Sequence, residues 1–225
     1  YKDFDRIGAA TYSLHYADRK AGRGVYTFCM CPGGEVVNAS SEQGMLVVNG
    51  MSYSRRASAF SNAAIVVTCR AGDYRSAGPL AGVEFQKDIE RKAFHAGGRK
   101  WEVPAQNLPD CLSRKVSGSL NKNSCATGTV AADMHEIFPA FVSDALVTAF
   151  TTWKKTYPLF VSPHAILIGA ETRTSAPLRI TRNAKFESVN IRNLYPIGEG
   201  SGYTDGITSS AADAIKAVET VLSSL

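Results

Sequence analysis

Two cysteines in the stretch "FCMCPGG" have a type and spacing that could do chemistry. Cys29 and Cys31 lie two residues apart at the end of an apolar run. Alternate side chains of a regular strand point to the same face, so the two thiols would lie side by side. They could form a strained, easily reduced disulfide or provide a thiolate near a substrate. Alternatively, they could pack as small apolar residues beside the Pro-Gly-Gly turn.

A second stretch, "YPIGEGSGYTDGITSSAADAIKAVE" (195–219), predicts a short strand, a glycine-rich loop and an alanine-rich helix over 207–225. The start of this helix would present unpaired N–H groups and the positive end of the helix dipole. Glycines in the loop would let the backbone approach a ligand closely. These are Gly198, Gly200, Gly202 and Gly206. Such a unit is typical of phosphate sites, whereas the alternative is a simple turn before a helix.

Four further residues of this stretch could act on a bound ligand. Glu199 would repel a phosphate, but its carboxylate could accept hydrogen bonds from sugar or ribityl hydroxyls. Ile207 and Thr208 begin the predicted helix, so their N–H groups would face a developing negative charge. Asp205 could cap the same N–H groups and compete with the ligand for them.

Arg173, in "ETRTSAP", lies at the end of a predicted strand and before a Ser/Thr-rich turn. Its guanidinium could bind a carboxylate, a phosphate or the polar edge of a cofactor. It could equally pair with the neighbouring Glu171 or with another surface acid. The four histidines have no spacing typical of a triad or a metal centre. A zinc site at the C-x-C pair is not favoured, because no second cysteine or histidine pair lies nearby.

Composition narrows the classes of protein. A chain of 225 residues with 44% hydrophobic residues and a net charge of +5 is typical of a soluble globular protein. No apolar run is long enough to span a membrane. The basic residues are scattered, which does not favour a nucleic-acid partner and leaves a small-molecule substrate. Five cysteines without a regular framework indicate a reducing cytoplasm. The first residue is Tyr rather than Met, so we expect a part of a longer protein.

Hydrophobic patterns predict an α+β fold without repeats. The predicted strands are 25–31, 34–40, 45–50, 62–70, 165–173 and 178–183. The predicted helices are 83–96, 131–139 and 140–157, the last two separated at Pro139. Residues 101–129 are predicted to be irregular, with a short helix near 107–114. The predicted order ends with the loop and helix of the second stretch.

The segment 193–219 resembles the C-terminal flavin-binding segment of bacterial NAD(FAD)-utilizing dehydrogenases. These are flavoproteins of the broad glutathione-reductase-like class. Three further stretches fit the same family in the same order, namely 22–56, 79–94 and 171–180. The resemblance implies an inserted α+β domain over 1–165. It also implies a C-terminal segment over 166–225 that completes an FAD-binding domain, the N-terminal half of which, with its GxGxxG, is not in the sequence.

The resemblance further implies an FAD-dependent oxidoreductase that passes electrons from NAD(P)H through FAD to an unknown acceptor. Cys29 and Cys31 would be the redox residues. The four glycines, Glu199, Ile207, Thr208 and Arg173 would bind the cofactor. The fragment alone would be inactive and would hold FAD weakly. Asp205 stands where family members carry glycine, and its charge would oppose flavin binding. The alternative is a non-catalytic ligand-binding or interaction module; the oligomeric state is not predicted.

Overall fold

The structure, a computed structural model, describes residues 14–74 and 76–223. The strands of these residues are β1 (His15–Asp18), β2 (Arg23–Cys31), β3 (Gly34–Asn38), β4 (Val48–Ser52), β5 (Asn62–Val67), β6 (Val103–Asn107), β7 (Thr129–Ala131) and β8 (Ile166–Ile168). They form three small sheets. Antiparallel β1, β2 and β5 form the first in the order β1-β2-β5, and the β3-β4 hairpin forms the second. In the third, β7-β6-β8, the central β6 is parallel to β7 and antiparallel to β8.

Five α-helices lie in the described residues. They are α1 (Ala81–Ala96), α2 (Leu108–Leu112), α3 (Met134–Ile137), α4 (Ala140–Thr156) and α5 (Ile207–Leu222). In α1, apolar residues recur at helical spacing and Ile89 and Ala93 are buried, whereas its charged residues mostly face outward. The chain leaves α1 at Gly97, whose N–H donates to the carbonyl of Ala93. A Cβ at Gly97 would collide with the carbonyl oxygen of Glu102, so glycine allows the turn into β6.

Two apolar clusters hold these elements together. One packs α1 and α3 against β4 and β6 through Leu46, Ile89, Val103, Met134 and Ile137. The other packs α4 against the first sheet through Val25, Leu108, Ala149, Phe150 and Trp153. Most residues of both clusters lie before residue 170, so the last part of the chain contributes little to the interior.

The α+β fold class is confirmed, and most predicted elements exist with shifted bounds. The strands predicted at 45–50 and 62–70 are β4 (Val48–Ser52) and β5 (Asn62–Val67). The helices predicted at 83–96 and 140–157 are α1 and α4. As predicted, Pro139 separates α4 from the preceding helix α3. The predicted 207–225 helix is α5, and residues 224–225 lie outside the described residues. The short helix near 107–114 is α2.

Four predictions of local structure were wrong. The irregular stretch 101–129 contains the strand β6 and the first residue of β7. The strand predicted over 165–173 is limited to β8, and 178–183 forms only an isolated bridge between Arg182 and Ser188. No strand precedes the glycine loop at 195–197. Apolar residues at 178–197 therefore follow an irregular path, because no neighbouring strand in the described residues pairs with them.

The described helices include none that is both long and apolar enough to cross a membrane. Within the same residues, no three His, Cys, Asp or Glu side chains are grouped so that they could hold a metal ion.

Candidate functional site

The C-x-C pair lies on a β-bulge, so it does not have the regular strand geometry that its spacing predicts. Phe28 pairs with Ala64, but Cys31 pairs with Asn62, which leaves one extra residue in β2. The bulge includes Cys29, which has a φ of 44°, in the left-handed region that non-glycine residues rarely adopt. Both cysteines are free thiols, and the Sγ of Cys31 donates to the carbonyl oxygen of Cys29 at 3.5 Å.

The charges of two carboxylates from distant parts of the sequence act on the thiol of Cys29. Desolvation, followed by the charges of Glu171, Cys31 and Glu199, raises the pKa of the Cys29 thiol. This environment favours the protonated thiol, so the electrostatics do not support a resting thiolate. Cys29 is exposed, and it does not pack as a core residue. The charge of Glu199 in the glycine loop thus acts on the first predicted redox residue.

Two of the four loop glycines are required by the path of the backbone itself. Gly198 and Gly202 have φ values of 70° and 79°. A Cβ at Gly202 would also collide with the carbonyl oxygen of Leu178. The Gly202 carbonyl accepts a hydrogen bond from Arg179 Nε at 3.0 Å. These two positions shape the loop against the preceding segment, so a ligand is not needed to explain their residue type.

Gly200 and Gly206 instead face open space. A Cβ at Gly200 would meet nothing within 4 Å, and one at Gly206 would meet only Ser209 Oγ at 3.8 Å. Neither residue has a positive φ, so backbone conformation does not explain the glycines. They leave the backbone accessible at the mouth of the loop, as a closely bound ligand would require.

The N-terminus of α5 is available to a ligand. Gly206 is the N-cap residue, no side chain caps the helix, and its first turn has no acidic residue. The prediction that Asp205 caps these N–H groups is wrong, because its exposed carboxylate makes no hydrogen bond in the described part of the chain. Ile207 is 89% exposed and Thr208 is also exposed, as a contact site for a ligand requires. The unpaired N–H groups and helix dipole favour a negative or electron-rich group here.

An ion pair that the sequence analysis missed holds the loop on α5. Arg182 donates to both oxygens of Asp213 at 2.8 and 2.7 Å, and each side chain is only 11% exposed. The Gly198 N–H also donates to Asp213 at 2.8 Å. The Arg182 guanidinium lies over the rings of Tyr203 and Phe186, at 3.8 and 4.4 Å from their centroids. Only an acid in the second turn of an alanine-rich helix could have indicated this pair.

Arg173 has a structural partner in the described chain. It donates to both carboxylate oxygens of Glu90 at 2.9 and 2.8 Å, and Glu90 is 1% exposed. Thr172 Oγ1 donates to the same carboxylate at 2.6 Å. The acid is therefore a buried residue of α1, whereas the sequence indicated Glu171 or a surface acid. The Arg173 side chain is nevertheless 42% exposed, and its predicted role in cofactor binding stays a prediction.

The apolar face of α5 is largely exposed to solvent. Ala217 is its only buried residue in the described range. Ile215, Val218 and Leu222 recur on one face of the helix and are 60%, 54% and 63% exposed. Single exposed apolar residues are common, but an apolar face along a whole helix marks a contact surface.

A cavity of about 1330 Å³ reaches the glycine loop at Asp205. It is lined by β5, by parts of β2, α1, α4 and β8, and by residues of the 171–177 turn. Two acidic residues of the site, Glu171 and Asp205, are among its lining. Burial raises the pKa of Glu171. Phe28 and Met30, the neighbours of Cys29 in β2, also line it, so the cavity extends from the C-x-C bulge into the interior.

Two comparisons with known proteins relate this chain to a family. Residues 1–174 match the family described as "FAD-dependent protein, C-terminal domain-like". An uncharacterized protein of Clostridium beijerinckii is 43% identical over 219 residues, which cover 96% of this chain and 41% of that protein. The chain thus spans less than half of the length of this relative. The glycine loop and α5 lie beyond the 1–174 match. Because that match covers more than half of the sequence, the chain belongs to the family of FAD-dependent protein C-terminal domains.

Proposed function

We propose that this chain is the C-terminal portion of an FAD-dependent oxidoreductase, in which residues 166–225 complete a flavin-binding domain. Residues 1–165 would form the domain inserted before this segment. The observation that carries the proposal is the open end of α5. An uncapped helix N-terminus follows a loop in which Gly200 and Gly206 leave the backbone accessible. The family match supports FAD as the cofactor.

The residues of the loop fit a flavin nucleotide. Glu199 makes no side-chain hydrogen bond or ion pair in the described residues, so its carboxylate is available to ribityl or ribose hydroxyls. The N–H groups of Ile207 and Thr208 would face an electron-rich edge of the cofactor and stabilise negative charge on it. Gly200 and Gly206 would permit the cofactor to approach the backbone closely, whereas Gly198 and Gly202 would maintain the conformation of the loop. When bound, FAD would supply the electron-transfer chemistry, with NAD(P)H as the proposed donor.

The exposed face of α5 supports the same proposal. An apolar helix face needs a cover, and the relative in Clostridium beijerinckii has 59% of its length outside the matched segment, since the match covers 41% of it. We propose that the remainder of an FAD-binding domain packs on Ile215, Val218 and Leu222. This packing would place the N-terminus of α5 at the junction of the two halves, where a dinucleotide would lie.

A chimera tests the proposal. This chain replaces the matching segment of the Clostridium beijerinckii relative, and the purified chimera is titrated with FAD. We expect a yellow protein with bound flavin. Gly200→Val should weaken FAD binding at least tenfold, because the new side chain fills the space through which the ligand approaches. Gly118→Val is the matched control: Gly118 also has open space at its Cβ and no positive φ, but it belongs to the segment between α2 and β7.

The outcome separates the proposal from its alternatives. Equal FAD affinity of both variants would exclude the loop from the flavin site. Bound flavin that NAD(P)H fails to reduce would favour a non-catalytic binding module. A chimera that folds, as judged by circular dichroism, but binds no flavin would overturn the assignment of the cofactor.

A further inference from the structure

The large cavity has a lining that the proposed flavin site does not use. Its volume of about 1330 Å³ exceeds the roughly 300–1,000 Å³ of common ligand pockets. Aromatic rings surround it from several elements. They include Phe28, Phe60, Tyr74, Phe85, Phe138 and Phe150. Rings of this kind favour a flat aromatic guest through stacked and edge contacts.

Three buried polar atoms point to a ligand with hydrogen-bonding groups. Asn62 Nδ2, His135 Nδ1 and Ser143 Oγ are buried and have no hydrogen-bond partner among the described residues. All three residues line the cavity. Ser143 is only 5% exposed. Buried polar groups in folded proteins are nearly always paired, so an unpaired set around one cavity indicates partners that a ligand supplies.

The chemistry of the three atoms specifies what those partners are. Asn62 Nδ2 is a donor, and Ser143 Oγ can donate or accept. His135 Nε2 lies 3.0 Å from the carbonyl oxygen of Cys111, which can only accept, so this nitrogen carries the proton. His135 Nδ1 is then an acceptor. A carbonyl oxygen of a ligand can accept from Asn62 and Ser143, and a ligand hydroxyl can also donate to His135.

Charges in the lining disfavour an anion. Glu171 and Asp205 line the cavity, and Lys122 is the single lysine or arginine among its described lining residues. An anionic ligand would have to approach two carboxylates with one ammonium group as compensation. A neutral ligand avoids this repulsion.

We propose that the cavity binds a neutral ligand of fused aromatic rings whose carbonyl or hydroxyl oxygens accept hydrogen bonds from Asn62 and Ser143. A ligand hydroxyl would in addition donate to His135. Naphthoquinones and naphthols belong to this chemical class. A role of such a ligand as electron acceptor rests on the proposed function, whereas its binding to the cavity does not.

The test is a titration of the 225-residue chain with 2,3-dimethyl-1,4-naphthoquinone, followed by calorimetry and tryptophan fluorescence. Its methyl groups block addition of thiols, which matters because Cys69 lines the cavity. Trp153 reports binding, since its ring lies 5.7 and 6.0 Å from the rings of Phe150 and Phe160, both of which line the cavity. We expect saturable one-to-one binding with quenching. The hydrocarbon 2,3-dimethylnaphthalene should bind about tenfold more weakly, because it has no oxygens.

Variants assign the binding to the cavity. Ser143→Ala and Asn62→Ala should each weaken the quinone about tenfold and leave the affinity for the hydrocarbon unchanged. Thr148→Ala is the control: Thr148 is on the same helix, α4, but is exposed and bonded to the Asp144 carbonyl. The proposal is overturned if no binding saturates, or if quinone and hydrocarbon bind equally well. It is also overturned if neither cavity variant weakens the quinone, or if the chimera does not bind it, since the rest of the protein would then fill the cavity.

Discussion

Replacement of Asp213 by asparagine tests whether the Arg182–Asp213 pair holds the glycine loop on α5. Asp213 accepts two hydrogen bonds from Arg182 at 2.8 and 2.7 Å and one from the Gly198 N–H at 2.8 Å. Asparagine has nearly the same shape but no charge, and its NH₂ group would face a donor. The variant leaves a guanidinium that is 11% exposed without its counter-charge.

The size of the effect follows from the pKa of Asp213. The hydrogen bonds from Arg182, with smaller contributions from Gly198 and nearby positive charge, lower this pKa from 3.8 to about 2. Such a difference corresponds to about 2 kcal/mol of stabilisation at neutral pH. The unpaired Arg182 adds to the loss, because breaking a buried pair costs about 3–5 kcal/mol. We therefore expect Asp213→Asn to lower the free energy of unfolding by about 2–4 kcal/mol.

The pH dependence has a defined sign. Since the pKa is lower in the folded state, the unfolded state takes up the proton first as the pH falls. The stabilisation by Asp213 is complete above pH 3.8, and it is lost as the pH falls towards about 2. Arg23 lowers the pKa of Asp73 as well, so acid destabilises the wild type through both acids. The relevant quantity is therefore the difference between wild type and variant, which should shrink between these pH values.

Urea denaturation followed by circular dichroism measures the stability, and hydrogen exchange of the 198–222 peptides measures local opening. Asp144→Asn is the control, since Asp144 pairs with Arg114 at 2.6 Å but both side chains are more than half exposed. Such a surface pair contributes about 0–1 kcal/mol. A loss below about 1 kcal/mol in Asp213→Asn, with unchanged exchange of the loop, would refute the reasoning.

Four further predictions concern the site. The 225-residue chain should lose FAD during gel filtration while the chimera retains it; stoichiometric flavin on the chain alone would contradict this. In the chimera, Glu199→Ala should weaken FAD binding about ten- to hundredfold in a titration, since one charge-assisted hydrogen bond is lost. Asp205→Gly in the same chimera should tighten FAD binding without a loss of thermal stability, because Asp205 caps no N–H group of α5. A Cys29→Ser/Cys31→Ser chimera should lose turnover with NAD(P)H but keep its flavin spectrum; wild-type turnover would remove the redox role. Burial penalises the charged carboxylate of Glu171 in the folded state and so raises its pKa above 4.5. Glu171→Gln should therefore raise the melting temperature at pH 7, where the wild-type carboxylate is charged in the unfolded state, but not below pH 4.5.

The sequence by itself determined the elements whose signals are local. The apolar spacing of α1 and α4, the alanine-rich α5 and the apolar strands β2 and β5 each carry their own periodicity. Pro139 ends one helix wherever the rest of the chain lies, because proline lacks the N–H group and clashes with the preceding turn. The α+β class and the glycine loop before a helix followed from the same local patterns.

Only the tertiary structure decided the features that depend on a partner far away in the sequence. The strand β6 has a proline and little β-branched character, yet it is the centre of its sheet because β7 and β8 supply its hydrogen bonds. The apolar residues at 178–183 lack such a neighbour among the described residues and form no strand.

The candidate site divides in the same way. Glycines and the C-x-C pair are visible as residue types, but the bulge at Cys29 arises from the register of β2 against β5. The Arg173–Glu90 pair and the Arg182–Asp213 pair each join segments that only folding brings together. The same holds for the influence of the Glu199 charge on Cys29. A single sequence records the propensities of each segment, whereas charge pairing and burial depend on which segments meet, and that is a property of the folded chain.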